Sequence, residues 1–275
     1  MKQICDKMPS IAKEIASEEQ MKVSIGFSTS LWTNICAEKS RNLPLGIAEY
    51  KERKSKSGNL PKMEGDIFLH IKSQVGLEEM KLLENKIVTQ IPSVLKVDSL
   101  ASFAEIKGSD PSGFRLLLDT MPKEEKERVA LIRFDGEHNG GSFLLFQIWN
   151  HKPGFLDEEK KSMEHKVGTF AETGKQIEKW RVKKRSHVSR MTIFDTNTQQ
   201  RITCVRQSMP FDTQETKGKL FVGYARHTGN FELLLDRMVG KAHPSDDYVD
   251  YILSYSTCKG GQYYFVPSLD ELLSF

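Results

Sequence analysis

Short apolar runs bounded by charged or turn-forming residues recur along this chain, and each is typical of a β-strand. The predicted strands are residues 23–27, 67–71, 129–134, 143–149, 202–205, 220–224 and 263–266. Helical spacing, with apolar residues every three or four positions, occurs at residues 77–91 and 231–239. Because strands outnumber helices and the two interleave irregularly, the pattern predicts an α+β fold with helices covering antiparallel sheets.

The order of the elements also suggests a duplicated unit. Strand, helix, strand, strand, helix, strand can be read loosely in both halves. A length of 275 residues is near the limit for a single hydrophobic core, which favours two domains. The densest turn cluster between the halves is residues 107–113, so we predict domains of residues 1–109 and 110–275. Long polar loops are predicted at residues 39–63 and 152–187.

Composition narrows the function classes. Forty Lys and Arg against 37 Asp and Glu give a net charge of +3, too near neutral for a chain devoted to nucleic acid. The four cysteines form no CxxC pair, so neither a zinc site nor a disulfide framework is predicted. No apolar run reaches the length of a membrane span, and the N-terminus is too charged for a signal peptide. We therefore expect a cytoplasmic protein with no membrane partner.

Familiar catalytic motifs are missing from the sequence. None of the seven histidines belongs to an HExxH motif or a compact His/Cys cluster, so a zinc hydrolase is disfavoured. The sequence also has no GxSxG, Walker or GxGxxG motif, so serine-hydrolase and nucleotide-binding functions gain no support.

One basic segment stands out locally. Residues 178–185 read EKWRVKKR and hold five Lys or Arg within residues 179–185. This segment could be a nuclear-import or phosphate-binding patch, although a solvated loop is the simpler interpretation.

Five blocks in the C-terminal half resemble the dye-decolourising peroxidases, in particular the P-type bacterial intracellular branch, and they occur in the family's order. They are GGSFLLFQIWNH (residues 140–151), SHVSR (186–190), VRQSMPF (205–211), LFVGYAR (220–226) and GGQYYFVPS (260–268). A weaker match in the first half rests on Gly26-Phe27, Trp32, residues 66–71 and residues 112–114. The resemblance implies two ferredoxin-like domains with haem b held by the C-terminal one, and it implies a homo-oligomer.

The resemblance assigns residues to the proximal side of the haem. His187 stands at the position of the axial ligand to the iron. Asp250 stands at an acidic position that accepts the other ring N–H of that histidine, although a surface carboxylate in the cluster Asp246, Asp247 and Asp250 is the alternative. Arg190 could pair with a haem propionate, or it could be an exposed arginine.

On the distal side, Arg206 stands at the family's distal arginine and would stabilise negative charge on the departing peroxide oxygen. Ser208 matches a distal hydroxyl that could hold peroxide or water. The alternative for Arg206 is an exposed arginine on a strand.

The chain departs from the family at the distal acid. The family motif GxxDG corresponds to residues 113–117, where Leu116 replaces the aspartate that moves the peroxide proton and Leu117 replaces the second glycine. Asp119 follows three residues later, but three positions along a strand reverse the face.

Other departures concern charge and the start of the chain. The family's Gly-Arg pair is Gly168-Thr169 here, and the basic segment 178–185 replaces a loop that tends to be acidic. The resemblance also implies that the first strand of the N-terminal sheet is missing, which would expose a sheet edge or require another chain.

The resemblance therefore implies a haem-dependent peroxidase that uses hydrogen peroxide and a small reducing substrate for one-electron oxidation, weakened by the loss of the distal acid. A different class stays open: a haem-binding pseudo-peroxidase acting as a sensor or carrier, or a haem-free interaction protein. A weaker alternative is a binder of nucleic acid or an anionic surface through residues 179–185.

Overall fold

The computed structural model describes residues 21–73, five positions between 81 and 89, and residues 110–115, 121–153, 155, 159–213 and 215–274. Eleven strands are named in this part of the chain: β1 (Met21–Ser28), β2 (Arg53–Lys54), β3 (Asn59–Leu60), β4 (Ile67–Ser73), β5 (Ser142–His151), β6 (Ile193–Phe194), β7 (Arg201–Ile202), β8 (Val205–Arg206), β9 (Met209–Asp212), β10 (Lys217–Ala225) and β11 (Ser256–Val266). The helices described are α1 (Thr29–Glu38), α2 (Lys123–Ala130), α3 (Lys160–Val167), α4 (His187–Arg190), α5 (Thr228–Val239), α6 (Ile252–Tyr255) and α7 (Leu269–Leu273). Within these residues no helix is long and apolar enough to cross a membrane.

A seven-stranded antiparallel sheet organises the fold. Its strands run in the order β4-β1-β11-β5-β10-β8, and β9 also pairs with β10. Two strands from the first half of the chain belong to this sheet, because β1 pairs with β11 at Phe27 and Phe265. The sheet therefore continues across the predicted domain boundary, and the division at residue 109 stays a prediction.

Helices α1 and α5 cover one face of the sheet. The helices contribute Trp32, Ile35, Phe231 and Leu235 to the main core, which also contains Phe143, Leu145, Tyr263 and Phe265 from β5 and β11. Helix α1 begins where the Ser28 hydroxyl accepts a hydrogen bond from Leu31 N at 3.2 Å. This core fixes the position of α5, which precedes the segment that carries Asp250.

The sheet curls around a second apolar cluster on its other face. Alternate residues of β5 and β11 supply Leu144, Phe146 and Tyr264. Phe68 of β4 reaches Phe146 of β5 with ring centroids 4.7 Å apart, although two strands separate β4 from β5 in the sheet order. Both faces of β5 are therefore buried, which explains its nearly continuous apolar run.

Polar contacts join strands that are remote in the sheet order. His70 Nδ1 of β4 lies 2.7 Å from the Tyr224 hydroxyl of β10. Lys72 of β4 also donates a hydrogen bond to the side chain of Gln207, next to β8. The two ends of the sheet order thus approach each other.

The predicted α+β class with antiparallel strands is confirmed. The predicted helix at residues 231–239 is also confirmed and begins three residues earlier. The helix predicted at residues 77–91 lies largely outside the described residues, as do residues 1–20, on which the missing first strand depends.

The strand predicted at residues 129–134 is wrong. Helix α2 includes Val129 and ends at Ala130. Acidic residues in its first turn and Arg128 in its last turn favour the helix dipole, and Arg128 also lies 3.6 Å from Glu125. Leu131, directly after the helix, is extended, but Phe134 adopts a φ of 64°, and residues 131–134 belong to no strand.

The two long polar loops contain more structure than predicted. Residues 39–63 include the short pair β2 and β3, and residues 152–187 include α3. Helix α3 has one buried side chain, Met163, so its sequence carries almost no apolar periodicity.

Candidate active site

The one-turn helix α4 presents His187 at its first position. The Ser186 hydroxyl accepts a hydrogen bond from Ser189 N at 3.3 Å and so caps the turn. Gly168 follows α3 and allows the chain there to lie close to α4, since a Cβ on Gly168 would lie 2.9 Å from Val188 Cβ. Gly168 also adopts a φ of 95°, which favours glycine.

His187 and Asp250 form a hydrogen-bonded pair. His187 Nδ1 lies 2.8 Å from Asp250 Oδ2. The Asp250 side chain is 0% exposed, whereas the His187 side chain is 35% exposed. Because a carboxylate only accepts hydrogen bonds, the imidazole donates through Nδ1–H. His187 Nε2 makes no hydrogen bond to the described residues, so it can act as an electron-pair donor.

The main chain fixes the position of Asp250. Helix α5 ends at Gly240, which adopts a φ of 74°, and the chain then turns back towards the helix. Asp250 N donates to Met238 O at 2.9 Å, and Asp250 Oδ1 accepts from Ile252 N at 2.9 Å. Asp250 is thus held by its backbone and by both carboxylate oxygens. The alternative of a surface carboxylate is wrong.

Arg190 closes a second contact between α4 and the segment that follows α5. Its side chain is 2% exposed, and its Nη2 lies 2.5 Å from Asp246 Oδ2. Arg190 Nε also donates to Arg237 O at 2.8 Å. The alternative of an exposed arginine is therefore wrong. The predicted propionate contact stays a prediction, and this guanidinium already binds a carboxylate and a carbonyl.

Sequence reasoning missed Arg237. Its Nη1 lies 3.7 Å from Asp246 Oδ2, so two guanidinium groups share one carboxylate. Burial lowers the pKa of Arg237, and the adjacent charge of Arg190 lowers it further. Pattern alone gives no signal for this cluster, because helix periodicity does not reveal which polar side chains meet across elements.

Arg206 lies on β8 at the far end of the sheet order, and Ser208 lies in the connection between β8 and β9. Arg206 ends β8 and stands opposite Gly223 of β10. Arg206 is exposed and Ser208 is buried. Between them, Gln207 N donates to Val222 O at 2.8 Å, which continues the pairing with β10. The exposed-arginine alternative for Arg206 agrees with its exposure, and its distal role stays a prediction.

The basic segment is mostly a solvated loop, as its simpler interpretation predicts. Lys179, Trp180, Arg181, Lys183 and Lys184 are exposed, and the Trp180 side chain is 83% exposed. Arg185 differs, because its Nε donates to Val249 O at 2.8 Å. Sequence reasoning missed this contact, since a backbone carbonyl leaves no trace in the sequence.

Of the remaining predicted site residues, the structure describes some and not others. Leu116, Leu117 and Asp119 lie outside the described residues, so the distal acid is a matter of sequence alone. Thr169 lies within the described part and forms an antiparallel bridge with Gln176.

A family model described as "Dyp-type peroxidase, C-terminal" matches residues 119–271, more than half of the chain. The chain belongs to the Dyp-type peroxidase family. This finding confirms the resemblance drawn from the five sequence blocks, which all fall within the matched residues.

The chain is also similar to known proteins in sequence and in fold. A dye-decolorizing peroxidase from Brevibacterium linens is 26% identical over 273 residues, covering 94% of this chain and 70% of that protein. A haem complex of a DypB variant from Rhodococcus jostii RHA1 superposes with a TM-score of 0.88 at 22% identity, covering 99% of this chain and 89% of that one. A dye-decolorizing protein from V. cholerae gives a TM-score of 0.84 at 21% identity, with coverages of 98% and 90%. These structures confirm the predicted ferredoxin-like fold.

Proposed function

We propose that this chain is a haem-dependent peroxidase that uses hydrogen peroxide to oxidise a small reducing substrate by single-electron steps. The observation that carries the proposal is the His187–Asp250 pair at 2.8 Å in a member of the Dyp-type peroxidase family. A haem-bound relative supports haem b as the cofactor.

The residues present fit haem iron. A histidine that ligates a metal normally donates its other ring N–H to a carboxylate or carbonyl, which fixes the tautomer and the ring orientation. His187 meets this requirement through Asp250, and its Nε2 makes no hydrogen bond to the described residues. We assign His187 as the residue that would hold the haem iron and Asp250 as the acceptor of its Nδ1–H.

When bound, haem would supply the redox-active iron for peroxide-driven one-electron oxidation. The protein holds His187 in one orientation, because Asp250 is buried and bound at both carboxylate oxygens. A negatively charged acceptor makes the imidazole more electron-rich, which favours the oxidised states of iron.

We assign Arg206 to the stabilisation of negative charge on peroxide oxygen. A fixed guanidinium can do this without reorganising during the reaction. Ser208, two residues later, would hold peroxide or water with its hydroxyl. The matching VRQSMPF block supports both assignments.

Proton transfer is the weak part of this site. The aspartate that accepts the first peroxide proton in the family is Leu116 here. An arginine cannot replace it as acceptor, since its guanidinium remains protonated. We therefore propose a slow peroxidase. Its rate lacks the roughly 10²–10⁴-fold acceleration that a positioned general acid–base group contributes.

We assign Arg190 a structural role instead of a propionate contact. Its guanidinium binds Asp246 and Arg237 O and is 2% exposed. Thr169 at the family's arginine position removes another cation. The proposed haem site would therefore rely on His187 more than on ion pairs with propionates.

Peroxide-dependent oxidation of a chromogenic one-electron donor tests this function on the haemin-loaded protein. Arg206→Ala should lower kcat by about 10²–10³-fold, as expected from the loss of a preorganised donor. Arg201→Ala, an exposed arginine on β7, is the matched control and should leave kcat unchanged. Wild-type activity no greater than that of free haemin would refute the proposal.

Haem binding without turnover is the second candidate function, and Leu116 favours it. The variant Leu116→Asp distinguishes a peroxidase from a protein that only binds haem. If the variant gains at least about 10²-fold in peroxidase rate, the site lacks only its acid. Absent turnover in both proteins, together with tight haem binding, would indicate a sensor or carrier.

We propose that the protein is a cytoplasmic homo-oligomer with domains of residues 1–109 and 110–275, on the basis of its family and its sequence. Binding of nucleic acid through residues 179–185 is not supported by the near-neutral net charge of +3.

A further inference from the structure

Arg185 differs from the other cations of the basic segment. Its neighbours Lys183 and Lys184 are exposed, whereas Arg185 is half-buried. Its Nε donates to Val249 O at 2.8 Å, and its guanidinium carbon lies 4.4 Å from the centroid of the Tyr251 ring. Arg185 O also accepts a hydrogen bond from Tyr251 N at 3.0 Å.

These contacts involve the two residues that flank Asp250. Val249 is held through its carbonyl, and Tyr251 is held through both its amide and its ring. Arg185 itself lies two residues before His187. The segment with the histidine and the segment with the carboxylate are therefore joined at Arg185 and again at the 2.8 Å hydrogen bond between His187 and Asp250.

We propose that Arg185 is a positioning residue that holds the Asp250 carboxylate against His187 Nδ1. A hydrogen bond of 2.8 Å weakens steeply with distance and angle, so small movements of residues 249–251 would break it. Arg185 restrains those residues on both sides of Asp250. The inference rests on the proposed function only in its consequence for the iron, since the pairing itself involves no cofactor.

Arginine suits this role better than lysine. A planar guanidinium can stack on an aromatic ring and direct an N–H at a carbonyl in the same plane. An ammonium group is a compact point charge that cannot satisfy both geometries. Lysine at position 185 should therefore retain the charge and lose part of the restraint.

Nuclear magnetic resonance of haem-free protein labelled with ¹⁵N-histidine tests the positioning directly. The His187 Nδ1–H signal is assigned by its loss in His187→Gln. In Arg185→Gln its exchange with solvent should become about tenfold faster, roughly the loss of one hydrogen bond. Arg185→Lys should give an intermediate rate. Arg181→Gln, an exposed arginine of the same loop, should match the wild type.

A wild-type exchange rate in Arg185→Gln would overturn the inference. If near-ultraviolet circular dichroism shows that Arg185→Gln does not fold, the exchange rate is measured in Arg185→Lys instead. A wild-type exchange rate in Arg185→Lys then overturns the inference. In the haemin-loaded protein, Arg185→Gln should raise the midpoint potential of the iron and lower kcat with the KM for peroxide unchanged. If haemin does not bind at all, the proposed function fails, while the exchange measurement still decides the role of Arg185.

Discussion

At the scale of single residues, the two ring nitrogens of His187 have different surroundings. Nδ1 meets a fully buried carboxylate at 2.8 Å, whereas Nε2 makes no hydrogen bond to the described residues. This asymmetry selects one tautomer and leaves the other nitrogen as a ligand. Asp250 therefore acts as the hydrogen-bond acceptor that selects the tautomer of His187, in addition to supplying a negative charge.

Asp250→Asn should lower peroxide-dependent kcat by about 10–100-fold, the usual cost of removing the acceptor behind a metal-binding histidine. The amide keeps the shape of the side chain but is a weaker acceptor. Stopped-flow kinetics on the haemin-loaded variant measures the effect. Asp247→Asn, an exposed neighbour, should behave as the wild type, and equal losses in both variants would argue against the assignment.

Sequence reasoning located His187 and Asp250 because whole blocks of residues match a family. It could not tell whether Asp250 or Arg190 is buried, since both lie in polar stretches without apolar periodicity. The structure shows both to be buried, and it adds Arg237 and Arg185 through contacts with backbone carbonyls and a shared carboxylate. Such contacts depend on tertiary geometry, which residue spacing does not encode.

At the scale of elements, α4 owes its position to the close approach of α3 and its following loop. Gly168 ends α3 with a φ of 95° and lies against Val188 and Ser186. A one-turn helix has too few internal hydrogen bonds to be stable alone. Its packing against Gly168, together with the contacts at His187 and Arg190, therefore maintains it.

Gly168→Ala should lower the free energy of unfolding by about 1–3 kcal/mol, because a Cβ meets Val188 and the positive φ is strained. Urea denaturation measures the change. Gly229→Ala is the matched control, since nothing lies within 4 Å of a Cβ there and the residue is in helix α5. A loss in the control as large as that in Gly168→Ala would contradict the packing argument.

Elements were predictable where the apolar residues form one face or a nearly continuous run. Helix α5 and strands β5, β10 and β11 carry such patterns and were found. Helices α2 and α3 were not, because each buries one side chain and the rest of its residues are mostly charged. Their stability comes from charge placement and tertiary packing, which apolar periodicity does not report.

At the scale of the whole molecule, the sheet brings His70 of β4 to Tyr224 of β10. Burial, and to a lesser extent Lys72, lowers the pKa of His70 from 6.5 to about 4. The unfolded chain therefore binds more protons than the folded one between pH 6.5 and 4. Stability from this residue is present above pH 6.5 and is lost as the pH falls through that window.

Between pH 7 and pH 5, His70 should account for a loss of roughly 2 kcal/mol in the free energy of unfolding. His70→Asn should remove that part of the pH dependence while lowering stability at pH 7, since a smaller side chain fills the site less well. Urea midpoints at the two pH values measure both effects. His243→Asn, at an exposed histidine, is the matched control for the substitution itself. An unchanged slope in His70→Asn would contradict the pKa argument.

The central claim is that His187 binds haem iron in this molecule, and an absorbance titration with haemin tests it most directly. Wild-type protein should give a sharp Soret band at one equivalent, and the band should shift on addition of peroxide. His187→Ala should lose the sharp band, whereas His165→Ala, at a histidine of α3, should keep it. The absence of a Soret band in the wild type, or a band unchanged in His187→Ala, would contradict the account.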